Sequence, residues 1–167
     1  MIVVINGYPT SGKDEFVNMC IKYLNTSKNI KGHNISSVDL IKTVAKLMRW
    51  NGEKDPISRK FLSDIKNLYS NYCEGPLRDA IEFDEQHDGL TFYHCREPQQ
   101  IEKLVQLKPD TLTVLLRRYD TATVHTNHSD LYVEEYPYDY IIENIGDLNL
   151  LEESCKQFIE DILISNN

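Results

Sequence analysis

Eight residues near the start of the chain, Gly7-Tyr8-Pro9-Thr10-Ser11-Gly12-Lys13-Asp14, set two glycines and a lysine at the spacing G-x-x-x-x-G-K. A loop of this length can wrap a phosphate. Its glycines let the backbone approach closely, its amide N–H groups turn inward, and the start of a following helix adds the positive end of its dipole. Lys13 would bring a full positive charge to the β- and γ-phosphates of a nucleotide. The segment therefore predicts an ATP site built from Gly7, Tyr8, Pro9, Thr10, Ser11, Gly12, Lys13 and Asp14, with Lys13 catalytic. A glycine turn with an incidental lysine is the plainer alternative. The context argues against it, since the pattern follows an apolar run, Ile2 to Ile5, and opens an amphipathic one.

Asp14 stands where Ser or Thr normally completes the pattern and ligates Mg²⁺. A carboxylate beside phosphates repels them, but it can hold Mg²⁺ directly or through water, and that is the role expected of Asp14. The competing reading is a carboxylate that caps the helix of a loop without turnover. No N-K-x-D or D-x-x-G element follows the loop, which argues against a switch GTPase.

Periodicity supplies the frame for this loop. Strands are expected at 2–5, 35–38, 90–94, 112–116 and 140–142, and helices at 13–24, after an Asp39 N-cap, from Pro56 to Tyr69, from Pro76 to Phe83, at 97–107 and at 148–164. Strands alternating with helices predict an α/β, three-layer P-loop NTPase domain with about five parallel strands and helices on both faces. One domain over 1–167 is expected from the length. Three consecutive helical segments lie between the second and third strands, at 39–88. The polar stretch 117–138 is long enough to be a lid.

Cations at strand ends are the next candidates, because a doubly wound sheet binds ligands beyond the carboxyl ends of its strands. Arg96 follows the third strand and is expected to contact substrate and assist transfer; a local salt bridge to Glu97 or Glu102 is the alternative. Arg117 and Arg118 end the fourth strand, where they could neutralise charge as a phosphoryl group moves. Adjacent strand residues face opposite ways, so one of the two is expected in the site and the other in a surface pair.

A formal charge of −8 argues against nucleic acid as a partner, since neutralising many backbone phosphates needs a basic face. No apolar run approaches a membrane span, and no leader pattern precedes the first strand, so no membrane partner and a cytoplasmic location are expected. The four cysteines have no metal-ligand spacing and are expected to be reduced and mostly buried. A monomer and a homodimer both fit.

Ser11-Gly12-Lys13-Asp14, Ser37 to Lys42, Arg59, Arg96-Glu97, His128-Ser129-Asp130, and Asn144 with Gly146 occur in an order that resembles the P-loop nucleoside monophosphate kinases. The likeness is to the phage-type deoxynucleoside monophosphate kinases, and the S-G-K-D loop is shared with animal-type phosphomevalonate kinase. The resemblance implies ATP and Mg²⁺ as cofactors and a small-molecule phosphate acceptor bound by the helical region 39–88, with Lys42 and Arg59 helping to bind its monophosphate. It also implies that Asn144 and Gly146 lie near the adenine; a turn capped by Asp147 is the local alternative. The shortened segment His128 to Asp130, with His125 before it, departs from the family pattern. A kinase for dephospho-coenzyme A or a phosphomevalonate-like acceptor, a slow NTPase, and a nucleotide-binding domain without turnover are the other readings.

Overall fold

The computed structural model describes residues 1–53, 55–118 and 132–165. Its centre is a five-stranded, wholly parallel sheet in the order β2-β3-β1-β4-β5. The strands are β1 (Ile2–Asn6), β2 (Gly32–Ser36), β3 (Leu90–His94), β4 (Leu112–Arg117) and β5 (Tyr140–Glu143). β1 is buried at every position, as the continuous apolar run of a strand covered on both faces requires.

The two faces of β1 feed two cores. Val3 and Ile5 pack with Phe16, Val17 and Cys20 of α1 (Lys13–Tyr23) and with Leu151, Cys155 and Phe158 of α6 (Leu148–Ser165). Ile2 and Val4 pack with Leu77 and Ala80 of α4 (Gly75–Gln86) and with Ile101 and Leu104 of α5 (Pro98–Leu107). A fully buried Val or Ile side chain contributes roughly 1.5–3 kcal/mol, so this alternation fixes the register of the central strand. The result is the expected α/β sheet with helices on both faces. Because β3 and β4 flank β1, the carboxyl ends of all three share one rim, at the point where the strand order reverses.

Two local expectations change. The second strand was expected at 35–38, but it runs from Gly32 to Ser36, paired from Gly32↔Leu90 to Ser36↔His94. Ser37 already leaves the ladder, its N–H reaching the His94 carbonyl at 3.2 Å. Asp39 is not the N-cap of α2 (Asp39–Leu47); Val38 holds that place, and the Asp39 carboxylate accepts the Ser36 N–H at 2.7 Å, closing the turn before the helix. α3 (Pro56–Cys73) is entered through Asp55, which accepts the Ser58 N–H at 2.8 Å. α1 ends one residue early and passes into a π-helical turn, Leu24–Lys28.

Of the expected lid at 117–138, residues 119–131 lie outside the described residues, and with them His125, His128, Ser129 and Asp130. After them, Val133 is buried and Tyr136 and Tyr138 pack on the core beneath Ile2 and Val4. All four cysteines are free thiols, three of them buried. No helix among the described residues is long and apolar enough to cross a membrane.

Candidate active site

The loop between β1 and α1 has the backbone that its glycines predict. Gly7 and Gly12 adopt φ 149° and 92°. A Cβ at Gly7 would collide with the Leu116 carbonyl oxygen, and one at Gly12 would lie 2.5 Å from Asn144 Nδ2. Both glycines therefore serve close approach as well as turning. Thr10, at the tip, is left-handed with φ 64°, a conformation that costs on the order of 1 kcal/mol for a residue with a Cβ. Lys13 Nζ folds inward and donates to the carbonyls of Gly7 at 2.7 Å and Tyr8 at 2.6 Å. Among the described residues no side chain caps the start of α1, so its first-turn N–H groups and its dipole suit an anion in this loop.

Three strand ends hold the loop. Asn6, the buried last residue of β1, accepts the Gly7 N–H on its side-chain oxygen at 2.8 Å. Its amide donates to the Arg96 carbonyl at 3.2 Å and to the Tyr138 hydroxyl at 2.6 Å. Tyr138 in turn donates to the Val133 carbonyl at 2.7 Å; burial raises its pKa and keeps it a donor. On the other side, buried Asn144 donates to the Ser11 carbonyl at 2.9 Å and accepts the Gly146 N–H at 3.0 Å. Asn144, which the sequence resemblance implies lies near the adenine together with Gly146, thus stands directly against the β1–α1 loop, and Gly146 reaches the loop only through Asn144. Asp147 caps the first turn of α6 through the Asn149 N–H at 2.8 Å, so turn and cap coexist.

Asp14 projects from the first turn of α1 with its carboxylate exposed, 3.9 Å from His94 Nε2. Burial holds His94 below its ordinary value, Asp14 and Asp39 pulling it up and Lys13 and Arg96 pushing it down. It is therefore a neutral imidazole at neutral pH amid these four charges. Sequence reasoning gave His94 no role; its place at the last position of β3, beside Arg96, was the available signal. Among the described residues no cluster of three His, Cys, Asp or Glu could hold a metal by itself. A single loop carboxylate nonetheless fits Mg²⁺, which keeps several waters and takes its other ligands from substrate phosphates.

Arg96, Arg117 and Arg118 sit half-buried at the ends of β3 and β4. Arg117 pairs with Glu134 at 3.0 Å. Glu97, an expected neighbour for Arg96, is engaged by Lys66 of α3 at 2.7 Å. Lys42 is exposed on α2, 3.5 Å from Asp39, and Arg59 is exposed in the first turn of α3. The structure thus brings the loop, His94, the three arginines and Asn144 to one rim, with Lys42 and Arg59 on the helices beyond β3. A cavity of about 150 Å³ lies between β2, β3, α2, α3 and α4.

No protein-family model matches the sequence, and no curated protein sequence matches it. Solved structures do match in fold. A thymidylate kinase from Ehrlichia chaffeensis superposes with a TM-score of 0.50 at 13% identity, covering 96% of this chain and 98% of its own. A shikimate kinase from Bacteroides thetaiotaomicron gives 0.53 at 14%, covering 98% of each. A sugar kinase from a Janibacter species gives 0.52 at 12%, covering 95% of this chain and 94% of its own. At these identities the likeness is one of fold, and the chain has the α/β fold of these small-molecule kinases.

Proposed function

We propose that the chain transfers the γ-phosphoryl group of ATP, with Mg²⁺, to a small phosphorylated acceptor, and that the acceptor is a nucleoside or deoxynucleoside monophosphate. The observation that carries this reading is the loop itself: Lys13 folded into a turn whose glycines cannot take a Cβ, at the carboxyl end of the central strand. The fold shared with three small-molecule kinases supports it, as does the sequence resemblance to the phage-type kinases.

Both reactants are anionic, so the work falls on positioning and charge neutralisation. The loop amides and the α1 N-terminus would bind the β-phosphate, with Lys13 turning from its loop carbonyls to the β- and γ-oxygens. Arg96, at the end of β3, is placed to orient the acceptor phosphate. Arg117 and Arg118 offer positive charge from the opposite side of β1. Asp14 would hold Mg²⁺, which when bound would supply charge neutralisation at the phosphates. No general base is needed, because an acceptor phosphate is already ionised. Lys42 and Arg59 complete the acceptor side in this reading, and Asn144 and Gly146 border the nucleotide while bracing the loop.

The test is ATP and Mg²⁺ turnover against a panel of ribo- and deoxyribonucleoside monophosphates, with Lys13→Ala as control. Diphosphate formed from some panel members, and reduced at least ~100-fold in the control, is the expected result. ATP binding without transfer to any member would defeat the proposal and favour another acceptor or a nucleotide-binding domain without turnover.

A further inference from the structure

We propose that the cavity between β2, β3, α2, α3 and α4 receives the ring of the acceptor and selects rings bearing an exocyclic amino group, with Asp79 accepting its hydrogen bond. This inference rests on the phosphoryl-transfer reading for the identity of the site it adjoins.

The cavity walls are mostly apolar and aromatic, Tyr69, Phe83 and Tyr93 among them, and among the described residues the charged ones lining it are Asp39 and Asp79. An acceptor phosphate would be repelled there. The cavity borders the same end of the sheet, since Ser36 and Ser37 at the carboxyl end of β2 line it and the Ser37 N–H donates to the His94 carbonyl at 3.2 Å, two residues before Arg96. In this proposal an acceptor with its phosphate at Arg96 places its other end in the cavity. At about 150 Å³ the space is smaller than the roughly 300–1,000 Å³ of sites that enclose whole ligands, and it suits one flat ring.

Several polar groups of the wall are already engaged. Tyr93 donates its hydroxyl to the Pro76 carbonyl at 3.0 Å. Asp39 accepts from the Ser36 N–H at 2.7 Å and faces Lys42 at 3.5 Å. Asp79 accepts the Tyr69 hydroxyl at 2.9 Å on one oxygen. Burial, then the Asp79 hydrogen bond, push Tyr69 up to about 12, so it stays a donor and orients the carboxylate. A carboxylate has about four acceptor positions, so Asp79 keeps capacity for a ligand N–H. A ring with an amino group satisfies it, whereas a ring with a carbonyl oxygen at that place meets like partial charge. A polyhydroxylated acceptor would leave most of its hydroxyls against apolar walls.

The test compares matched rings that differ in amino against oxo: dCMP with dUMP, and dAMP with dIMP. For the intact chain, kcat/KM is measured with ATP and Mg²⁺, and binding of each monophosphate is measured by calorimetry without ATP. The amino member of at least one pair is expected to win by roughly 10- to 100-fold, the value of a hydrogen bond to a charged group. Asp79→Asn, whose amide can donate to an oxo group, is expected to shrink or invert that ratio, and Tyr69→Phe to shrink it less. Ratios within about threefold in both pairs for the wild-type chain, or no binding of any member, overturn the inference even if Asp79→Asn does not fold. So does a wild-type preference that survives Asp79→Asn intact. Amino-selective binding without transfer supports the cavity assignment while removing the kinase reading, and transfer without amino selectivity does the reverse.

Discussion

Asn144 and Ser11 are joined by a 2.9 Å hydrogen bond from a buried side-chain amide to a loop carbonyl, across 133 residues of sequence. The same amide would meet a Cβ on Gly12 at 2.5 Å. The loop conformation and the position of β5 are therefore one structural fact.

Asn144→Ala leaves the Ser11 carbonyl and the Gly146 N–H without their bonds to this side chain. A loss of roughly 1–3 kcal/mol is expected, read as a lower midpoint in urea unfolding, with weaker ATP binding by calorimetry. Gly12→Ala should weaken ATP binding more than it lowers stability, because the strain it adds falls on the loop and its brace. Equal ATP affinity in Gly12→Ala and wild type would contradict this account.

Tyr138→Phe tests the opposite brace. It removes the acceptor of the Asn6 amide and the donor to the Val133 carbonyl together, at roughly 1–3 kcal/mol. The mutation touches no phosphate-binding group, so ATP affinity should fall severalfold rather than vanish. A melt indistinguishable from wild type would show that the hydroxyl is dispensable.

Lys66→Met should raise the KM for the acceptor severalfold and leave that for ATP nearly unchanged. Lys66 ties α3 to Glu97, next to Arg96, with only 12% of its side chain exposed. α3 also lends Tyr69 to the cavity. Steady-state kinetics with each substrate varied in turn separate the two outcomes, and parallel rises in both KM values would count against the assignment.

Asp84 governs an acid-sensitive contact between α4 and the residue after α5. Its buried carboxylate, 3% exposed, lies 3.2 Å from Lys108 and 3.0 Å from the amine of Met1. Burial pushes its pKa up, but these hydrogen bonds outweigh burial and hold it below the ordinary 3.8. The folded state therefore favours the carboxylate. Its contribution is present above the ordinary value and is lost as pH falls through the lowered one. Asp84→Asn should cost about 3 kcal/mol near neutral pH and flatten the loss of stability below about pH 4. Urea midpoints from pH 7 to pH 2.5 provide the check.

The parts of this molecule that were legible in the sequence are those written in consecutive residues. Gly7 to Asp14 announces itself because its turn, its lysine and its helix start are contiguous, and the apolar run of β1 places it at a strand end. β2 was misplaced because its sequence, GHNIS, is only half-buried at the sheet edge and carries little apolar signal, while Ile35 to Val38 just beyond looks more strand-like. The Asn6–Tyr138 bond spans 132 residues, and no local pattern could pair them. The cavity around Asp79 is assembled from five elements and has no signature in any one of them. His94 was visible as a residue, but its burial beside Asp14 depends on the packing of β3 against β1.

Lys13 donates to two carbonyls of its own loop, so under the proposed function nucleotide binding would be an exchange reaction and its affinity a difference. A lone small anion offers Lys13 little that the Gly7 and Tyr8 oxygens do not already provide. A polyphosphate engages the lysine, the loop amides and the helix start together, and can outcompete them. The loop should accordingly discriminate ATP from the abundant free phosphate around it, through a cation that is internally satisfied until a sufficiently long chain of phosphates arrives.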